Sequence, residues 1–183
     1  MVLGRAIPVL PLVALALGGC ALGPPQWQTF QDEQGGFTVE MPGRPASTRR
    51  PVQTGLGEIE VQGFGINRPT GVYALVYADY PEPVTPMAVS PLFWDRVRLQ
   101  TQRQLGAKDP VEKPITLGSH PGREITLTLP PDQLPEGGIA RARYYFVDRR
   151  VYGLYALVPQ TSEADLERFF QSFRLQAQPP ANP

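Results

Sequence analysis

The chain is 183 residues long, with 17 Lys+Arg against 17 Asp+Glu, one Cys, one His, 18 Gly and 22 Pro. That length fits one domain, or one domain with tails. Zero net charge argues against a non-specific nucleic-acid binder, which needs a basic surplus against phosphate. One Cys and one His can make neither an internal disulfide nor a structural zinc site.

Residues 1–20 carry a single charge, Arg5, and Ala6 to Leu17 is an unbroken apolar run. The run fits a signal-peptide h-region of about 7–15 residues and is too short for a membrane span of about 18 or more. It ends in Leu17-Gly18-Gly19-Cys20. That ending resembles the lipobox of bacterial lipoproteins: an aliphatic residue, two small residues, then Cys. The resemblance implies cleavage between Gly19 and Cys20 and acylation of the Cys20 thiol and new amine, palmitate-type chains included. Several acyl chains anchor stably where one does not. The expected organisation is a signal peptide over 1–19, a lipidated Cys and tether over 20–26, one domain over 27–175 and a disordered tail over 176–183. The tail has no apolar period. Losing Arg5 with the signal leaves a net charge of about −1.

Within the domain, Phe37, Val39 and Met41 alternate with polar residues and predict a half-buried strand closed by Pro42-Gly43. Arg49–Thr54 and Glu58–Ile66 flank Gly55-Leu56-Gly57 as a hairpin. Val72–Tyr80 is apolar on both faces, as a central strand is. Ser90-Pro91 opens a helix with Ser as N-cap and Pro at the first helical position. Its apolar stripe is Phe93, Trp94, Val97, Thr101 and Leu105, and Gly106 stops it. Strands resume at Val111–Leu117 and Arg123–Leu129, joined through His120. Ile139–Val147 and Val151–Val158 then form a hairpin around Asp148-Arg149-Arg150, with arms rich in Tyr, Val and Leu. Ser162 and Asp165 read as a capping box, and Leu166, Phe169, Phe170 and Phe173 as the buried stripe of a last helix. Short turns imply antiparallel pairing of about seven strands. Two one-sided helices imply an α+β sandwich, a mostly antiparallel sheet covered by helices.

Residues suited to catalysis are few. Cys20 lies outside the domain, and no Gly-x-Ser-x-Gly elbow accompanies His120. His120 reads as an exposed turn residue. Asp32-Glu33 beside Gly35-Gly36 reads as a solvated turn, and Gly55-Leu56-Gly57 lacks the strand-to-helix context of a phosphate loop. The polar feature that stands out is an arginine set. Arg141 and Arg143 share a strand face with Tyr145, Arg149 and Arg150 crown the next turn, and Arg123 follows a Pro-Gly bend. Arginine suits bidentate binding of carboxylate or phosphate, but alternating Arg on a strand also pairs with acids across a ladder. All seven tyrosines fall on predicted strands, which favours packing over a ligand groove.

Several segments together resemble a family of bacterial envelope proteins of unknown function. They are Phe37–Gly43, Tyr77–Pro81, Pro121–Glu124, the strand Arg141-Ala142-Arg143-Tyr144-Tyr145 and the ending Phe169–Leu175. The order of elements is similar to the PsbP/MOG-type fold, an antiparallel sheet between helices. The resemblance implies a non-enzymatic binding or assembly role and no cofactor. The leading expectation is therefore a lipid-anchored accessory protein of the bacterial envelope, facing periplasm or exterior, held to the membrane by Cys20. It would contact a protein partner and no nucleic acid. The alternatives are a small-ligand or anion binder using Arg123, Arg141, Arg143 and Tyr145, and a hydrolase using His120.

Overall fold

The computed structural model describes residues 26–54, 57–81, 90–91, 94–95, 98–99, 102, 108–131 and 137–176. The expected lipobox with Gly19 and Cys20, residues 82–89 and 132–136, and the end of the expected tail lie outside them.

Among the described residues ten strands form in chain order: β1 (Gln28–Asp32), β2 (Phe37–Met41), β3 (Ala46–Thr54), β4 (Gly57–Arg68), β5 (Gly71–Asp79), β6 (Lys108–Leu117), β7 (His120–Leu129), β8 (Gly138–Val147), β9 (Arg150–Pro159) and β10 (Arg174–Leu175). One complete helix, α1 (Glu163–Ser172), is bounded among the described residues, entered through a 3₁₀ turn at Gln160–Ser162. Seven strands make a large sheet in the order β3-β4-β5-β9-β8-β7-β6, and β1-β2-β10 make a small one. Every strand pair is antiparallel.

This corrects the expected α+β sandwich of a seven-stranded sheet under two helices. The small sheet and α1 together cover one face of the large sheet. They bury Phe37, Val39, Met41, Phe64, Tyr73, Leu75, Tyr77, Leu154, Leu166, Phe169 and Phe173 in one core. The opposite face buries Val61, Val76, Ile125, Leu127, Tyr144, Phe146 and Tyr155 around Trp94. Most of the expected first helix, 90–105, lies outside the described residues. Trp94, which is described, sits edge-on to Phe146 at 5.5 Å.

The missed strands have a common cause. β1 reads Gln-Thr-Phe-Gln-Asp, so it has one apolar residue and no alternation to detect. β10 hides in the end of the helix stripe. Phe173 is buried, but its backbone is already extended (φ −65°, ψ 126°), and the chain pairs Arg174 with Thr38 and Leu175 with Phe37. The capping box is also corrected. Ser162 makes no side-chain cap bond, because the 3₁₀ turn runs directly into α1.

The prolines occupy telling positions. Pro51 lies on β3 and Pro110 and Pro114 on β6, the two edges of the large sheet. A proline has no N–H to give a neighbour, so it is tolerated at an edge and discourages a further strand from adding there. At the start of β5, Gly71 takes φ 141°, and a Cβ there would stand 2.6 Å from Val158 and 2.7 Å from the Leu157 carbonyl. Only glycine fits both demands.

Candidate functional site

The large sheet splits the arginine set. In β8, Ile139, Arg141, Arg143 and Tyr145 face α1, while Ala140, Ala142, Tyr144 and Phe146 face the Trp94 core. Arg123 pairs in register with Tyr144. It therefore projects to the Trp94 side, where its guanidinium lies 5.5 Å from the indole and its Nε 3.3 Å from Glu112. Arg123 and the Arg141–Arg143 pair do not meet.

Arg141 and Arg143 meet a carboxylate that no sequence motif marks. Glu124 of β7 lies opposite Arg143 in the ladder, and Lys113 of β6 lies opposite Glu124. Glu124 is 3% exposed, the one charged residue in the buried set among the described residues. It accepts from Arg143 Nε at 2.5 Å, pairs with Lys113 Nζ at 2.9 Å and lies 3.8 Å from Arg141 Nε. Arg141 also pairs with Glu167 of α1, and Arg143 sits 4.8 Å from the Phe170 ring. Burial alone would raise the Glu124 carboxyl. Hydrogen bonds from Lys113 and Arg143 and the charges of both arginines outweigh it and hold the group below its usual value. The network fastens β6, β7 and β8 to α1, and its cationic charge is met by internal acids. An acid on one β-strand, with alternating Arg on the next predicted strand, was the signal available for it. Tyr145 stacks on Phe173 at 6.0 Å and 10° and forms part of the core.

Tyr145, Tyr152 and Tyr77 stand side by side across β8, β9 and β5. Two of their hydroxyls hold the β1–β2 turn. Tyr152 donates to the Gly35 carbonyl at 2.6 Å, and Tyr77 lies 3.3 Å from Asp32, which also accepts from Gly35 N. Burial, then Asp32, push Tyr77 up to about 12, so it stays a neutral donor near neutrality. Arg150 completes the clamp. Nε and Nη2 each reach the Asp79 carboxylate at 2.7 Å, and Nη1 reaches the Gln34 carbonyl at 2.7 Å. Asp32 thus works as a structural acceptor in this turn.

Beyond this clamp the ends of five chain segments enclose a cleft of about 740 Å³. Its lining comes from the β1–β2 turn (Gly36), the end of β5 (Asp79), the start of β7 (His120), the β8–β9 turn (Val147 to Arg150) and the end of β10 (Leu175, Gln176). Gln176 N donates to the Gly36 carbonyl at 2.8 Å and closes one side. His120 is not the exposed turn residue expected. It is the first residue of β7, half-buried on this cleft. Among the described residues its imidazole makes no hydrogen bond or ion pair, so no Ser or carboxylate partner for nucleophilic chemistry is in place. No cluster of three metal-ligating side chains forms among the described residues, and no described helix is long and apolar enough to cross a membrane.

The cleft was not legible as a motif, because its residues are scattered from Gly36 to Gln176. It lies at one end of the sheets, where β1 finishes. The chain enters β1 at the other end, where Trp27 packs edge-on against Tyr73 near the start of β5. Tyr73 and Asp79 lie six residues apart on one strand, about 20 Å at a strand's rise.

No protein-family model matches the sequence, and no curated protein matches it. Among solved structures, the chain is similar to the solution structure of cyanobacterial PsbP (CyanoP) from Synechocystis sp. PCC 6803. That match has a TM-score of 0.53 at 11% identity, and covers 87% of this chain and 98% of that one. A Pseudomonas aeruginosa protein of unknown function matches at TM-score 0.39 and 8% identity, covering 84% of this chain and 98% of that one, too distant to argue from. The fold is PsbP-like, as the order of elements implies.

Proposed function

We propose that this PsbP-like domain is an accessory protein of the bacterial envelope. It is tethered to the membrane through acylated Cys20 and engages a protein partner at the cleft end of its sheets. The observation that supports this reading is the placement of tether and cleft. Residues 20–26 lead into β1 at the end beside Trp27, while β1 runs away from that end and finishes at the cleft. A domain held by its N-terminal end would present the cleft away from the lipid. Both faces of the large sheet are already buried by the chain itself, and among the described residues the strand ends offer a concave surface for contact. The ligand reading built on Arg123, Arg141, Arg143 and Tyr145 finds no support in their placement, since the arginines meet internal acids and Tyr145 is core.

Two experiments test the two halves. Cys20→Ala should abolish acyl labelling and leave the chain soluble or uncleaved; labelling that persists contradicts the anchor. Co-isolation from solubilised membranes should return one reproducible partner with the parent chain. Val147→Glu, which places a charge in the cleft, should lose it while still unfolding cooperatively. A partner kept by that variant, or none with the parent, contradicts the docking surface.

A further inference from the structure

Among the described residues, four charged side chains border the cleft: Asp79, Asp148, Arg149 and Arg150. Asp79 and Arg150 cancel each other through two bonds of 2.7 Å. That leaves Asp148 and Arg149, the two turn residues between the paired Val147 and Arg150. Asp148 is held at φ 54°, a left-handed conformation that Asp and Asn tolerate better than most residues. Its carboxylate has no hydrogen-bond or ion-pair partner among the described residues. Arg149 spends Nε on the Tyr80 carbonyl at 3.3 Å, and among the described residues its two Nη atoms have no such partner. His120 lines the same space, and Val147 and Leu175 add apolar wall.

Arg149 also acts through its charge on Asp79, but Asp79 is already bonded twice to Arg150, so an acid and a base that lack ion pairs adjoin each other and define the ligand by charge. A simple anion would satisfy Arg149 and be opposed by Asp148, and a simple cation the reverse. A molecule carrying both charges satisfies the two together. The guanidinium end presents two N–H donors in the fork that fits a carboxylate. The volume falls within the roughly 300–1,000 Å³ usual for small-molecule sites, enough for an aliphatic side chain beside the two charged groups. We infer that the cleft binds a zwitterion of the amino-acid class, a free α-amino acid or a di- or tripeptide with both termini free. Its carboxylate lies on Arg149, its ammonium on Asp148 and its side chain against Val147 and Leu175. This inference does not depend on the protein-partner reading. Both contacts are solvent-exposed, so the affinity is modest, with a dissociation constant of about 1 mM.

The test is amide-resolved NMR of the isotope-labelled full chain in detergent micelles, titrated to about 10 mM ligand. The probes are L-leucine and alanyl-leucine, with N-acetylleucine (carboxylate only) and leucinamide (ammonium only) as controls. The free zwitterions should shift amides of the cleft and leave β3 and β4 unmoved, and each blocked form should bind at least about tenfold more weakly. Arg149→Gln and Asp148→Asn keep the turn, Asn being suited to the left-handed position, and each should weaken binding by a similar factor. Absence of cleft shifts with both zwitterions overturns the inference. So does N-acetylleucine or leucinamide binding as tightly as leucine, or either variant binding like the parent. Because the protein is pure, these results are independent of whether a protein partner is found.

Discussion

Glu124 offers the sharpest test of how the sheet is held to its helix. Glu124→Gln keeps the size of the side chain and removes its charge. Arg141 and Arg143, with side chains 11% and 16% exposed, then lose their shared buried acid. Arg141 keeps Glu167, itself 38% exposed, whereas Arg143 keeps neutral neighbours, the Phe170 ring and carbonyl and the Tyr145 hydroxyl. Removing one partner of a buried pair costs about 3–5 kcal/mol because the other charge stays desolvated. The part owed to Lys113 is small, since that side chain is 60% exposed and an exposed pair contributes about 0–1 kcal/mol. Urea unfolding followed by tryptophan fluorescence should show a loss of about 3 kcal/mol for Glu124→Gln and under about 1 kcal/mol for Lys113→Ala. Glu124→Leu combined with Arg143→Met should recover part of that loss, because hydrophobic replacement of a whole buried pair is often neutral. A Glu124→Gln chain within about 0.5 kcal/mol of the parent would refute the assignment of this network as a structural fastener.

The same group makes the acid limb predictable. The folded Glu124 carboxyl titrates below its usual value of 4.5. Its contribution is therefore complete above the unfolded value and is lost as pH falls from there through the lowered folded value. Glu124→Gln should flatten the stability curve in that window, and an unchanged acid limb would count against the account. Gly71→Ala should cost about 1–3 kcal/mol in denaturant unfolding, because a Cβ at φ 141° also strikes Val158 and the Leu157 carbonyl; a neutral result would contradict the tight approach of β5 and β9. Tyr152→Phe removes the donor to the Gly35 carbonyl. It should cost about 1–2 kcal/mol and speed amide exchange in the β1–β2 turn, and exchange as slow as in the parent would show that the Tyr77–Asp32 and Arg150 contacts hold the turn without it.

Sequence periodicity identified the strands that carry their own pattern. Phe37, Val39 and Met41 alternate, and β5 and β9 are apolar on both faces because layers cover both sides of the large sheet. Periodicity could not show that a second sheet shares the covering with α1. β1 has Phe30 alone to pack inward, and β10 continues a helix stripe in the same direction, so Phe173 satisfies the helical spacing while its backbone is extended. The arginine set was visible, but the pairing that decides its role was not. Whether Arg143 meets a ligand or Glu124 depends on the register of β7 against β8. Arg123 adjoins Glu124 in sequence, so strand alternation sends it to the opposite face from Glu124, and with it from Arg141 and Arg143. The cleft was invisible for a related reason: turns and strand ends far apart in the chain meet there, and nothing local marks Asp79, His120 and Gln176 as neighbours.

The central claim is that the cleft end, and not the sheet edge, contacts a partner protein. Site-specific photo-crosslinking in intact membranes tests it most directly, with the crosslinker placed at Asp148 on the cleft and, in a parallel chain, at Gln53 on the edge strand β3. The account predicts one discrete crosslinked species from position 148 and none from position 53. The same species from both positions, or none from position 148, would contradict it.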